Sequence, residues 1–256
     1  MFGPLFNNMF GIEKMKYKVL TFVVLFFALG IVYISTTKKS PVETQVVLTD
    51  EKDYDLLISK ATAYAFRGIQ PSEDELMSAE AAYQSLEKEK DRVAEWIYST
   101  LQTNTKKTPM AYGYILWRFG PDYVKGLEPS VLKSSQENTR LNGVYILGTG
   151  NKYHKSIVDL TINVLRRDPS VKVKAEAIHS LNALRAADDF TVIIPYLDSK
   201  DPIVRKAAVQ FFWSYPQEEV IKTLRQMLET EENTTIREWI EKAISKYERY
   251  KDFPSD

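Results

Sequence analysis

The sequence predicts an all-α protein with one N-terminal transmembrane helix, a few further N-terminal helices and about five repeated helical pairs. Three observations carry this. After residue 50 no stretch alternates apolar and polar residues as a half-buried strand does, whereas apolar residues recur at helical spacing. The motif Asp168-Pro-Ser-Val171-Lys172 returns 33 residues later as Asp201-Pro-Ile-Val204-Arg205. The run 19–37 carries no charge.

At 1.5 Å per residue that run spans about 28 Å, the thickness of a hydrocarbon core. Lys14, Lys16 and Lys18 precede it, Lys38 and Lys39 follow, and Tyr17 and Tyr33 mark the interfaces. A cleaved signal peptide is the competing account. The long apolar run, the eighteen residues before it and the lack of a small-x-small site before Lys38 oppose it. The excess of one lysine places the N-terminus in the cytoplasm and the large domain on the other side, in a periplasm or lumen. Residues 1–18 form a Phe-rich start with Phe2, Phe6 and Phe10 suited to a membrane interface, and 38–50 form a linker.

Over 51–90 the sequence predicts N-terminal helices, read as a cap or as degenerate repeats. The first covers 53–69 with Tyr54, Leu57, Ile58, Ala61 and Ala65 on one face. Ser72-Glu-Asp-Glu75 behind Pro71 is a capping-box pattern opening the next. Residues 91–250 hold the repeats. Asn233-Thr-Thr-Ile236-Arg237 continues the register 32 residues beyond Arg205, and Glu137-Asn-Thr-Arg140 precedes Lys172 by 32. First helices are expected near 91–103, 121–135, 152–167, 189–199 and 217–231. Asp168 and Asp201 are expected to cap second helices, with Pro169 and Pro202 in the first turn. Pro129 and Pro195 are expected to bend first helices, and 251–256 is a polar tail.

The segment Pro195-Tyr-Leu-Asp-Ser-Lys-Asp201-Pro202-Ile-Val204-Arg205-Lys-Ala207-Ala208, with its neighbour over 168–184, resembles HEAT-type repeats, in particular the short lyase-HEAT-like kind. The resemblance covers roughly 90–250 and is tightest in the middle two repeats. It implies a right-handed α-solenoid of the armadillo type, whose curved surface holds other macromolecules.

Composition narrows the function. Lys plus Arg is 34 and Asp plus Glu is 34, so the basic excess of a nucleic-acid binder is missing and no nucleic-acid partner is expected. Without cysteine there is no disulfide scaffold, thiol nucleophile or cysteine-ligated metal. Glu176-x-x-His179 has half the pattern of a di-iron site, but no second copy exists. In the repeat register His179 aligns with Phe212 and Ile244, which makes it a partly buried structural histidine. No phosphate loop, dinucleotide turn or nucleophile elbow occurs. The reading therefore names no catalytic residue, metal, cofactor or small-molecule substrate.

Two features point to a protein partner. Arg140, Lys172, Arg205 and Arg237 form a basic column on successive second helices. They either pair with carboxylates such as Asp168 and Asp201 as an inter-repeat ladder, or face solvent and bind an acidic partner. Trp213 and Tyr215 flank a helix end and suit an interface anchor. The expected function is a non-catalytic scaffold or adaptor, anchored through 19–37, that uses these six residues to hold a partner protein in a membrane-associated complex. Its rivals are a structural accessory subunit held mainly through the transmembrane helix, and a HEAT-type enzyme such as a lyase or glycosylase.

Overall fold

Helix boundaries follow local chemistry. Glu75 N–H donates to the Ser72 hydroxyl at 3.2 Å and Ser72 N–H donates to the Glu75 carboxylate at 2.8 Å, completing the capping box. The computed structural model describes residues 52–251 apart from 66–69 and 104–108. The run 19–37, its flanks and the Phe-rich start lie outside the described residues. Among those described, no helix is long and apolar enough to cross a membrane.

Helix α1, Lys52–Thr62, packs against α2, Glu73–Glu87. It buries Tyr54, Leu57, Ile58 and Ala61 but stops earlier than its apolar pattern predicts. The Thr62 hydroxyl donates to the Ile58 carbonyl at 2.8 Å, a local bond that competes with helix continuation. Helical pairs follow. α3 (Lys90–Thr103) leads to α4 (Pro109–Phe119). α5 (Pro121–Lys125) and a π-type turn (Glu128–Leu132) lead to α6 (Glu137–Gly148). α7 (Lys155–Arg167) leads to α8 (Val171–Ala183). Two 3-10 segments, Ala187–Val192 and Ile194–Asp198, lead to α9 (Pro202–Ser214), and α10 (Glu218–Thr230) leads to α11 (Thr234–Tyr250). Among the described residues there is no strand.

The prolines expected to bend first helices break them instead. Pro129 falls in the π-type turn and Pro195 in the second 3-10 segment, because each removes a backbone donor in mid-helix. Gly120 sits at φ +124°, a conformation that favours glycine, and lets the chain restart at Pro121.

The second helices α6, α8, α9 and α11 pack on one another in sequence. Between them lie Leu147, Ile178, Phe211, Phe212 and Ile240, none more than 1% exposed. Burying each such side chain contributes about 2–3 kcal/mol. The buried Ser180 hydroxyl donates to the Val144 carbonyl at 2.8 Å, tying α8 to α6. A stack of hairpins that each leave an apolar face for the next is an α-solenoid.

Candidate partner-binding surface

The helix caps set the repeat register. Gln136, Ser170, Asp201 and Asn233 occupy the N-cap positions of α6, α8, α9 and α11. Three residues on, Thr139, Val173, Val204 and Ile236 are all buried. The next position holds Arg140, Lys174, Arg205 and Arg237, so Lys174 stands in the basic column where Lys172 was expected. Lys172 lies two positions earlier, with an exposed ammonium 3.2 Å from Glu137. The discrepancy comes from a false equivalence. Asp201 caps α9, accepting from Ile203 N–H at 2.8 Å, whereas Ser170 caps α8 and Asp168 precedes that cap by two residues. Pro169 therefore lies outside α8.

Asp168 does other work. It closes α7 and accepts the N–H of the cap residue Ser170 at 2.8 Å. Arg140 of the preceding hairpin reaches it with Nε at 2.7 Å and Nη2 at 3.1 Å. The same guanidinium donates through Nη1 to the Ser134 and Ser135 carbonyls, at 3.0 and 3.2 Å. Arg205 repeats the arrangement. Nε and Nη2 each lie 2.9 Å from the Glu231 carboxylate, and Nη1 holds the Ser199 and Lys200 carbonyls. Glu231 in turn accepts from the cap residue Asn233 at 3.0 Å. The hydrogen bonds from Arg205 hold its carboxyl below the ordinary carboxylate value. The carboxylate side chains are only 5% and 4% exposed.

The intervening joint lacks the device on both sides. Ser199 occupies the position of Asp168 and Glu231 and bonds the Asp201 N–H at 3.3 Å, while Lys174 replaces the arginine. At the far end Arg237 donates to the Leu228 and Glu231 carbonyls of its own hairpin and makes no direct ion pair among the described residues. Of the expected partner-binding column, Arg140 and Arg205 are thus engaged inside the fold, Arg237 folds onto its own loop, and Lys172 lies off the register.

Tyr215 is also engaged. Its hydroxyl donates to the Asn182 carbonyl at 2.9 Å and its ring lies 5.3 Å from Phe211. Trp213 differs, being 38% exposed, with Trp239 edge-on at 5.5 Å and the Lys246 ammonium 4.9 Å from its ring. It lies between two shallow grooves of about 440 and 600 Å³. The smaller brings together His179, Asn182, Arg185, Trp213, Lys246 and Asn151, residues from the C-terminal halves of second helices and the turns after them. The larger runs along α11 past Lys242 and Tyr250.

His179 sits at the edge of this surface. In the cap register it aligns with Gln210 and Lys242, not with Phe212 and Ile244, and its ring is exposed. Surrounding protein removes water from one side and, with the Lys206 charge, pushes its pKa below the ordinary value. Glu176, one turn earlier, is half-buried, and burial pushes its carboxyl upward. Among the described residues no three His, Asp or Glu side chains converge as metal ligands. The open groove was missed in the sequence because it is assembled from helix ends far apart in the chain, although Trp213 itself was singled out.

The stacked hairpins and their arginine–carboxylate latches define the class, a helical-repeat solenoid. Residues 158–245 match the family model for HEAT repeats. No curated protein matches the chain. Among solved structures, an engineered protein is similar at 13% identity and a TM-score of 0.40, over 77% of this chain and 97% of that one. The complex of CpcE and CpcF of phycocyanin lyase from Nostoc sp. PCC7120 is similar at 16% identity and a TM-score of 0.38, over 86% of this chain and 95% of that one.

Proposed function

We propose that the protein is a non-catalytic scaffold or adaptor that holds a partner protein within a membrane-associated complex, with 19–37 as its single membrane anchor and the repeats on the non-cytoplasmic side. One observation carries the reading. The second-helix row satisfies its arginines internally yet leaves Trp213 open between two grooves. A large exposed aromatic in a shallow polar-rimmed groove is the usual chemistry of an interface anchor. HEAT-type repeats over 158–245 fit that role.

The test is mild detergent extraction from native membranes followed by lysine crosslinking and mass spectrometry. Stoichiometric crosslinks from Lys206, Lys242 or Lys246 to one partner are the expected result. Crosslinks confined to Lys14, Lys16, Lys18, Lys38 and Lys39 would instead assign an accessory subunit held through its membrane helix. Extraction as a lone monomer would overturn the scaffold.

A further inference from the structure

Two non-glycine residues of the described chain adopt left-handed backbone, Asn151 at φ 49° and Arg185 at φ 59°, and both line the groove beside Trp213. Arg185 follows α8 in a Schellman turn. Its N–H donates to the Asn182 carbonyl at 3.1 Å and the Ala186 N–H donates to the Leu181 carbonyl at 3.1 Å. That position favours glycine, and an arginine there is strained. Strain kept at a groove wall points to a use for the side chain.

The electrostatics give that use a sign. Arg185 is exposed and makes no side-chain bond among the described residues. Lys246 spends one N–H on the Ser214 carbonyl at 3.1 Å, and its ammonium lies over Trp213 at the edge shared with the larger groove, which Glu238 and Glu241 line. No residue lining the smaller groove is a carboxylate. Resting on the scaffold reading, we infer that the groove captures an acidic segment of the partner protein. A carboxylate docks on the Arg185 fork and Lys246, and an adjacent apolar side chain packs on Trp213. A guanidinium fork donates two parallel N–H bonds to a carboxylate, which fixes the direction of the segment. The aromatic floor adds contact area at low entropic cost.

The full chain in nanodiscs is titrated with a fluorescein-labelled peptide alternating Glu and Phe, and with its Gln counterpart, read by anisotropy. Tighter binding of the acidic peptide by at least about tenfold is expected. Arg185→Gly removes that preference and raises the thermal midpoint, because it relieves the left-handed strain. Trp213→Ala weakens binding of both peptides, and Arg166→Gln, an exposed arginine outside the groove, changes neither. Equal affinity for the two peptides, an unaltered preference in Arg185→Gly, or no saturable binding up to about 1 mM would overturn the inference. The membrane crosslinking experiment fails separately. A partner crosslinked to the repeats but indifferent to Arg185 leaves the scaffold standing without this site.

Discussion

Arg205 grips Glu231 through two parallel bonds of 2.9 Å while holding the carbonyls of Ser199 and Lys200, so one side chain fastens two loops of successive hairpins. Arg140 and Asp168 repeat the relationship one joint removed. Lys174 and Ser199 show that the stack also closes without it.

Removing one member of a latch strands a buried charge, whereas removing both does not. Arg205→Lys is therefore expected to cost about 2–3 kcal/mol, because one ammonium cannot replace the bidentate fork. Replacing Arg205 and Glu231 by Lys and Ser together should cost less than the sum of the single changes, with a coupling of about 1–3 kcal/mol in a double-mutant cycle. Urea unfolding of the four proteins measures it. Additive costs would remove the latch from the account.

The latch sets a pH dependence. Because the fold holds the Glu231 pKa below 4.5, its stabilisation is complete above that pH and is lost as pH falls through the depressed folded-state value. Thermal midpoints between pH 5 and 3 should fall more steeply for the native sequence than for Glu231→Gln, which is weaker at pH 7 but flatter.

Close approach at the α6–α8 joint gives a steric test. A Cβ on Gly148 would lie 2.9 Å from the Ser180 backbone Cα, and backbone cannot swing aside as a flexible side chain can. Gly148→Ala is expected to destabilise by about 1–3 kcal/mol despite its better helix propensity. Denaturant midpoints decide it, and a gain in stability would show that the joint is looser than described.

His179 should titrate below 6.5, since the flanking protein's partial desolvation of the ring and the Lys206 charge both disfavour its charged form. The neutral ring is the folded form, so this group's stabilisation is present above pH 6.5 and declines as pH falls through its folded-state pKa. In an NMR titration Lys206→Met should raise the midpoint but leave it below 6.5, because desolvation by the flanking protein is the larger cause.

Much of this architecture is written in the chain. Ser72 with Glu75, Asp201 with Pro202 and Asn233 each announce a helix start, because capping is a local bond between a side chain and the nearest backbone donors. The apolar face of α1 is equally legible from Tyr54 to Ala61. What sequence could not supply is the step between hairpins. Asp168-Pro and Asp201-Pro look alike but occupy different positions, and only the buried residues Val173 and Val204 reveal it. Once those are aligned, the latches become readable, since an acid stands before the cap wherever an arginine stands in the preceding second helix, and serine where it does not. The groove at Trp213 was hidden for another reason. It is assembled from the ends of helices far apart in the chain, and the strain at Arg185 has no signature in composition or periodicity.

The alternation of latched and unlatched joints makes the stack unequal along its length. A linear array unfolds where nearest-neighbour coupling is weakest, and the α8–α9 joint has lost an ionic contribution that its neighbours retain. Falling pH weakens the α9–α11 latch through Glu231, so the ranking of the joints depends on solution conditions. At neutral pH and low salt, hydrogen exchange should separate residues 155–183 from 202–250 as two cooperative blocks. Glu231→Gln should weaken the second block and narrow the separation.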